Sequence, residues 1–238
     1  MRTGVLVVLA LFVTTTADAR PHKRVRKRPH RIAVHDPVRG QSIGAPWDGE
    51  LRDATRLPDT DGIFIRRPLR AFGTRATVER IEQAIGEWRE QFPDAHVLAI
   101  GDLSAQHGGA ISEHHSHRSG RDADIGLVYT TKPFGYPRSF VVATDDNLDA
   151  AATYALVSAF AATAPEDGGV QVMFLDFEVQ RMLYAWALDN GASRAHLAKL
   201  FQFPHGRGAA LGLVRHEPNH QNHVHVRFKC PSGDLACR

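Results

Sequence analysis

Apolar side chains recur at spacings of three and four between residues 74 and 91. Val78, Ile81, Ile85 and Trp88 form one stripe, and Glu79, Arg80, Glu82, Glu87 and Arg89 lie off it. That period predicts an amphipathic helix ending at Gln91-Phe92-Pro93. An alanine-rich segment, 149–162, carries Leu156, Val157 and Phe160 on one side and reads as a second helix. Residues 177–188 and 194–201 predict two more, separated by Asn190-Gly191. Short apolar runs at 96–100, 170–175, 209–214 and 222–228 predict strands. Gly44, Pro46, Gly49, Pro58 and Gly62 punctuate residues 40–70, so turns and short strands are expected there. Helices and strands do not alternate as in a doubly wound sheet. The expected class is α+β, with a small antiparallel sheet flanked by helices.

The N-terminal residues follow neither pattern. Residues 1–19 combine Arg2, an apolar run from Gly4 to Val13, and Ala17-x-Ala19. The run is too short to span a bilayer comfortably, and the small residues suit signal-peptidase cleavage. A cleaved signal implies export to the periplasm, with no transmembrane segment left. The stretch 20–41 follows as an expected disordered arm. It holds eight Lys or Arg and one Asp, a net +7, so the remainder carries −4 against +3 for the whole chain. Two readings stay open for it: a tether to anionic envelope polymer or lipid headgroups, or a solvated linker. Nucleic acid is not expected, because no aromatic stacking pattern accompanies the charges. With 43% apolar and 23% charged residues, the chain is not a disordered polyelectrolyte. Two cysteines in 238 residues exclude a disulfide-dense miniprotein.

Histidine is the unusual component. Eight of the 14 fall in two clusters, His107, His114, His115 and His117, then His216, His220, His223 and His225. About a hundred residues separate the clusters, so folding must join them. Two dense clusters in one exported domain point to a metal site. In His223-Val224-His225-Val226-Arg227-Phe228, strand alternation puts both histidines and Arg227 on one face and the apolar residues on the other. Asp122 and Asp124 likewise share a face if 121–125 is a strand, with Gly120 allowing a sharp turn after His117. Two His and one carboxylate form the usual open zinc set.

These words resemble the penicillin-insensitive murein endopeptidases. The match runs through Gly101-Asp102-Leu103-Ser104, Gly108-Gly109, His114-His115-Ser116-His117-Arg118-Ser119-Gly120-Arg121-Asp122-Ala123-Asp124, and His220-Gln221-Asn222-His223-Val224-His225-Val226-Arg227. Ser42-Ile43-Gly44-Ala45-Pro46 and Cys230-Pro231 also fit, so it covers roughly 42–237. The resemblance implies the wider zinc fold shared with lysostaphin, D-Ala-D-Ala peptidases and the hedgehog domain. It implies one Zn2+ held by His117, Asp124 and His225, with His223 as catalytic base or transition-state partner and His220 beside it. His114 matches a further site histidine. The implied reaction is hydrolysis of D-alanyl-meso-diaminopimelyl cross-links in peptidoglycan, insensitive to penicillin. The D-Ala-D-Ala branch places a Glu shortly before its His-x-His; here the nearest acid is Glu217, beyond Pro218.

Several roles stay open. Asp122 or Ser116 is placed to orient a ligand imidazole, or else bonds its own turn. Arg227 meets a substrate carboxylate or is a plain strand arginine. Asp145, Asp146 and Asp149 read better as a helix N-terminus than as a second metal site. Cys230 and Cys237 are expected to pair across a loop containing Pro231 and Gly233. A D,D-carboxypeptidase or dipeptidase of the same fold, or a non-catalytic envelope- or zinc-binding protein, are the alternatives. If the arm tethers, deleting residues 20–39 weakens sacculus binding at low salt while cleavage of small soluble substrates persists. Equal sacculus binding by both forms in a low-salt pelleting assay refutes the tether.

Overall fold

A computed structural model describes residues 41–238. The expected signal and basic arm lie outside the described residues. The domain opens with a hairpin of β1 (Ser42–Ala45) and β2 (Asp48–Leu51) and a small pair of β3 (Thr55–Arg56) and β5 (Phe72–Gly73). The main sheet contains β4 (Ile63–Ile65), β6 (Leu98–Ile100), β7 (Asp122–Gly126), β10 (His223–Phe228), β8 (Val170–Phe174) and β9 (Val214–Arg215), in that spatial order. β6, β7, β10 and β8 run antiparallel, whereas β4 joins β6 and β9 joins β8 in parallel. The expected antiparallel sheet is therefore the centre of a mixed one. Its parallel edges are too short to leave a sequence pattern.

Among the described residues four α-helices pack with the sheet: α1 (Arg75–Gln91), α2 (Ala150–Ala162), α3 (Phe177–Asp189) and α4 (Arg194–Leu200). Their N-caps are Thr74, Asp149, Asp176 and Ser193, and the side chain of each accepts a backbone N–H from the first turn. Asp149 thus caps α2, accepting from Ala152 N at 2.9 Å, and Asp145 pairs with Arg181. The expected stripe of α1 is buried throughout, and Trp88 donates Nε1–H to the Ala152 carbonyl at 2.9 Å. Leu156, Val157 and Phe160 of α2 join Val224, Val226 and Phe228 of β10 in one core. No helix among the described residues is long and apolar enough to cross a membrane.

The expected strand over 209–214 is mostly loop, and only Val214–Arg215 pair. Gly212 explains the loss. It sits at φ +76°, and a Cβ there would lie 2.5 Å from the Phe201 carbonyl carbon, so the chain turns where a strand would extend.

The C-terminal segment is bound to the first hairpin. Arg238 N donates to Gly44 O and Gly44 N to Ala236 O, both at 2.9 Å. Asp234 accepts the backbone N–H of Ser42 at 2.8 Å. Arg121, fully buried, donates to Ser42 Oγ and Phe228 O at 3.1 Å each. The expected Cys230–Cys237 disulfide is present, with Cα atoms 5.7 Å apart. For a loop this short the chain-entropy model gives about 2.5 kcal/mol. A Cys230→Ser and Cys237→Ser double variant is expected to lose that stability in urea denaturation. No shift in midpoint would mean that the backbone bonds alone hold the segment.

Candidate metal centre

β7 and β10 pair so that His225 faces Asp124 and Arg227 faces Asp122. Alternation therefore delivers two carboxylates, two imidazoles and a guanidinium to one face of the sheet centre. His117 arrives from the preceding loop, not from a strand. Its φ is +64°, a left-handed conformation costly for a side chain of this size. Two bonds hold it: its N–H donates to Asp122 Oδ2 at 2.8 Å, and its ring Nδ1 donates to Leu103 O at 2.7 Å. Gly120, at φ +72°, makes the expected turn into β7; a Cβ there would lie 2.7 Å from Leu51 Cδ1.

Three donor atoms then stand at nearly equal spacing. His117 Nε2 and His225 Nδ1 are 3.2 Å apart, and they lie 3.3 and 3.2 Å from Asp124 Oδ1. His223 Nε2 is 3.6 Å from the same oxygen. Asp124 Oδ1 is buried, faces these nitrogens and makes a hydrogen bond to none. His114, His117 and Asp124 also bring one ligand atom each to within 4.8 Å of one another. Its Nε2, however, is already bonded to Asp102 Oδ2 at 2.9 Å.

The donor chemistry suits a cation. Burial alone would raise the Asp124 carboxyl, but His117 and His223 outweigh it and hold the group well below the ordinary carboxylate range. Asp122 behaves likewise, with burial overcome chiefly by His225. Burial would lower His225, yet Asp122 and Asp124 push it up to about 9 in the metal-free chain. His223 goes the other way, down to about 4, because burial dominates. Its ring stacks on Phe140 with centroids 4.9 Å apart and planes 11° apart, and its Nδ1 lies 2.6 Å from Asn222 Oδ1. His220 is also lowered by burial, and its ring is 4.7 Å from that of His223.

These groups open onto a cleft of about 540 Å³, whose walls include Trp47, His114, Ser116, Phe174, Glu217 and His220. Asp122, not Ser116, lies against the second nitrogen of His225, Oδ1 to Nε2 at 3.2 Å. Arg227 borders the cleft but is bound to Asp122, Nε to Oδ1 at 2.7 Å. It is neither a plain surface residue nor an unpaired anion receptor. His216 is structural, its Nδ1 accepting Phe177 N–H at 3.1 Å at the start of α3. His115 is an exposed residue of the cleft wall, and His107 is exposed away from it. Asp145 pairs with Arg181 and Asp149 caps α2, so neither acts as a metal ligand among the described residues.

Two contributors were not legible in the sequence as site residues. Asp102 is buried and accepts from Arg67, Arg70 and His114, tying the loop that carries His114 and His117 to the 3-10 turn Pro68–Arg70. Phe140 backs His223 from a loop with no periodic pattern. Asp102 at least carried a signal, an acid at the end of an apolar strand. Asp122 binds both His117 N–H and Arg227, and removing it strands the Arg227 charge, whose side chain is only 14% exposed. Asp122→Ala is expected to cost about 3–5 kcal/mol in chemical denaturation of the metal-free protein. A loss below about 1 kcal/mol would deny Asp122 that role.

A sequence model described as penicillin-insensitive murein endopeptidase matches residues 42–238. Similar curated proteins bear the same description. One from Klebsiella pneumoniae is 27% identical over 251 residues, covering 100% of this chain and 81% of its own length. One from Yersinia enterocolitica is 30% identical over 217 residues, covering 86% and 72%. Another, from Pectobacterium atrosepticum, is 27% identical over 250 residues, covering 100% and 82%. The family match takes in every site residue described above, and the chain belongs to the penicillin-insensitive murein endopeptidase family.

Proposed function

We propose that the chain is an exported zinc peptidase that hydrolyses peptide cross-links of peptidoglycan, of the D-alanyl-meso-diaminopimelyl kind. Zinc is held by His117 Nε2, Asp124 and His225 Nδ1. One observation carries this reading: the donors form a triangle of sides 3.2 to 3.3 Å. Tetrahedral zinc at about 2.0–2.1 Å from its ligands separates any two of them by about 3.3–3.4 Å. His114 is a poorer third ligand, because Asp102 occupies its near nitrogen. The pairing of a His-x-His strand with a carboxylate-bearing strand supports the wider zinc-peptidase fold. Family membership supports murein as the substrate.

A zinc ion in this site supplies a Lewis acid that polarises the scissile carbonyl and activates water. His223 does the proton transfer. Its Nδ1–H is used by Asn222, so Nε2 keeps a free lone pair, and burial keeps the ring neutral at pH 7. It takes the proton from the attacking water and returns it to the leaving amine as the C–N bond breaks. His220 donates Nδ1–H to Pro218 O at 2.9 Å and leaves a second acceptor nitrogen beside His223. The Leu103 carbonyl holds His117 by its other nitrogen, and the Asp122 carboxylate lies 3.2 Å from that of His225, favouring a proton there. No acyl-serine forms in this chemistry, which accounts for indifference to penicillin. The first 19 residues direct export to the periplasm.

Purified protein incubated with cross-linked sacculi is expected to release monomeric muropeptides, read by mass. A chelator abolishes release and zinc restores it. His223→Ala is expected to lose about 10²- to 10⁴-fold in rate while still binding zinc. Full activity of a His117→Ala and His225→Ala double variant defeats the proposal. Release of terminal D-alanine alone indicates a carboxypeptidase, and zinc binding without cleavage indicates a binding protein.

A further inference from the structure

The two ends of the cleft differ in chemistry. His223, His225 and Arg227 follow one another along one face of β10, and alternate residues of a strand stand about 7 Å apart. At the His223 end the wall is polar, with Glu217, Asn219 and His220. At the Arg227 end it is aromatic. Trp47 and Phe174 border the cleft there, with ring centroids 5.8 and 5.5 Å from the Arg227 guanidinium carbon. The Phe174 ring is also 5.5 Å from that of His225, so the aromatic surface reaches the ligand set.

Trp47 is the member that packing does not account for. Its side chain is 59% exposed and takes no part in the hydrophobic core. Of the six large apolar side chains that stand exposed among the described residues, only Trp47 borders this cleft. Its turn is nonetheless held in place. Pro46 O accepts the N–H of Arg118, the residue after His117, at 3.0 Å, and Gly49 O accepts the Gly109 N–H at 3.2 Å. An aromatic ring kept out of the core and fixed at a cleft wall is a packing surface for the apolar part of a ligand.

The proton path sets which part of the substrate arrives there. His223 returns its proton to the leaving amine, so the amine side of the bond lies toward His223 and the acyl side toward Arg227. An extended chain advances about 3.3–3.6 Å per residue, so one strand step past His225 brings the second residue before the bond to the aromatic end. In a D-alanyl-meso-diaminopimelyl link the first residue before the bond is D-alanine, which offers only a methyl group. The second, in stems of this kind, is itself diaminopimelyl and carries three consecutive methylenes. We propose that Trp47 packs against this methylene chain of the acyl-donor stem and makes cleavage selective for a long apolar stretch at that place. The inference rests on the peptidase reading and adds the group that recognises the acyl side of the bond.

The test uses three soluble cross-linked peptide dimers with the same acceptor stem and the same D-alanyl bond. The donor residue before the D-alanine is diaminopimelyl, norleucyl or alanyl; norleucine keeps the methylenes without the charged end. kcat and KM are measured for the zinc-loaded wild type, Trp47→Ala and Trp47→Phe. The wild type is expected to favour the diaminopimelyl and norleucyl dimers over the alanyl one by about 10-fold, chiefly through KM. Trp47→Ala brings that preference to within about twofold and leaves the alanyl dimer nearly unaffected, while Trp47→Phe keeps most of it. An undiminished preference in Trp47→Ala, or an equal loss on all three dimers, overturns the inference. So does a norleucyl dimer that the wild type treats like the alanyl one, because the charged end is then what is read. Cleavage of no dimer by the wild type overturns the peptidase reading itself.

Discussion

The antiparallel register between β7 and β10 is the constraint on which the rest depends. It sets His225 across from Asp124 and Arg227 across from Asp122, and both strands lie in the middle of the sheet. A slip of one residue would send the imidazoles into the core and the valines into the cleft. Two buried carboxylates two residues apart on one strand would normally repel and take up protons. Here the imidazoles and Arg227 reverse that tendency, and both stay well below the ordinary range. The fold therefore tolerates the acid pair only where the histidine strand is in register.

His117 is held by different means. The loop from Ala105 to Gly120 contains no helix or strand and buries little apolar surface. Polar contacts fix it instead: Asp122 on the His117 amide, Leu103 on its ring, and Asp102 gathering Arg67, Arg70 and His114. Arg70 reaches on to Ser112 Oγ at 2.7 Å. Such bonds are directional, so they fix angle as well as distance, which a metal ligand in a left-handed conformation requires.

Much of this was legible in the sequence, for physical reasons. The stripe and the C-terminal end of α1, the acidic N-terminus of α2 and the two faces of β10 are local patterns, and local geometry carried them into the structure. The turn at Gly120 was legible because glycine takes up the left-handed conformation that a sharp turn needs, φ +72° here. The parallel edges were not legible, since two- and three-residue strands are decided by neighbours distant in sequence. The strand expected at 209–214 failed for a tertiary reason, the backbone of Phe201 against Gly212. Arg227 and Asp122 were each legible as site residues, but their pairing was not, because that contact spans 105 residues. Asp102 and Phe140 belong to the same class: one is recognisable only from the three side chains it gathers, the other only from the ring it supports.

β10 has a consequence for how such a protein can diversify. Val224, Val226 and Phe228 are fully buried on one face while His223, His225 and Arg227 occupy the other. Every position of the strand is committed, alternately to packing and to the site. Variation in substrate preference has no room there. The cleft walls are different: the Trp47 turn, residues 113–116 and residues 217–220 border the same space and contribute nothing to the hydrophobic core. New specificities are therefore reachable by varying Trp47, His115 and residues 217–219 while His114, His220 and the two central strands stay as they are.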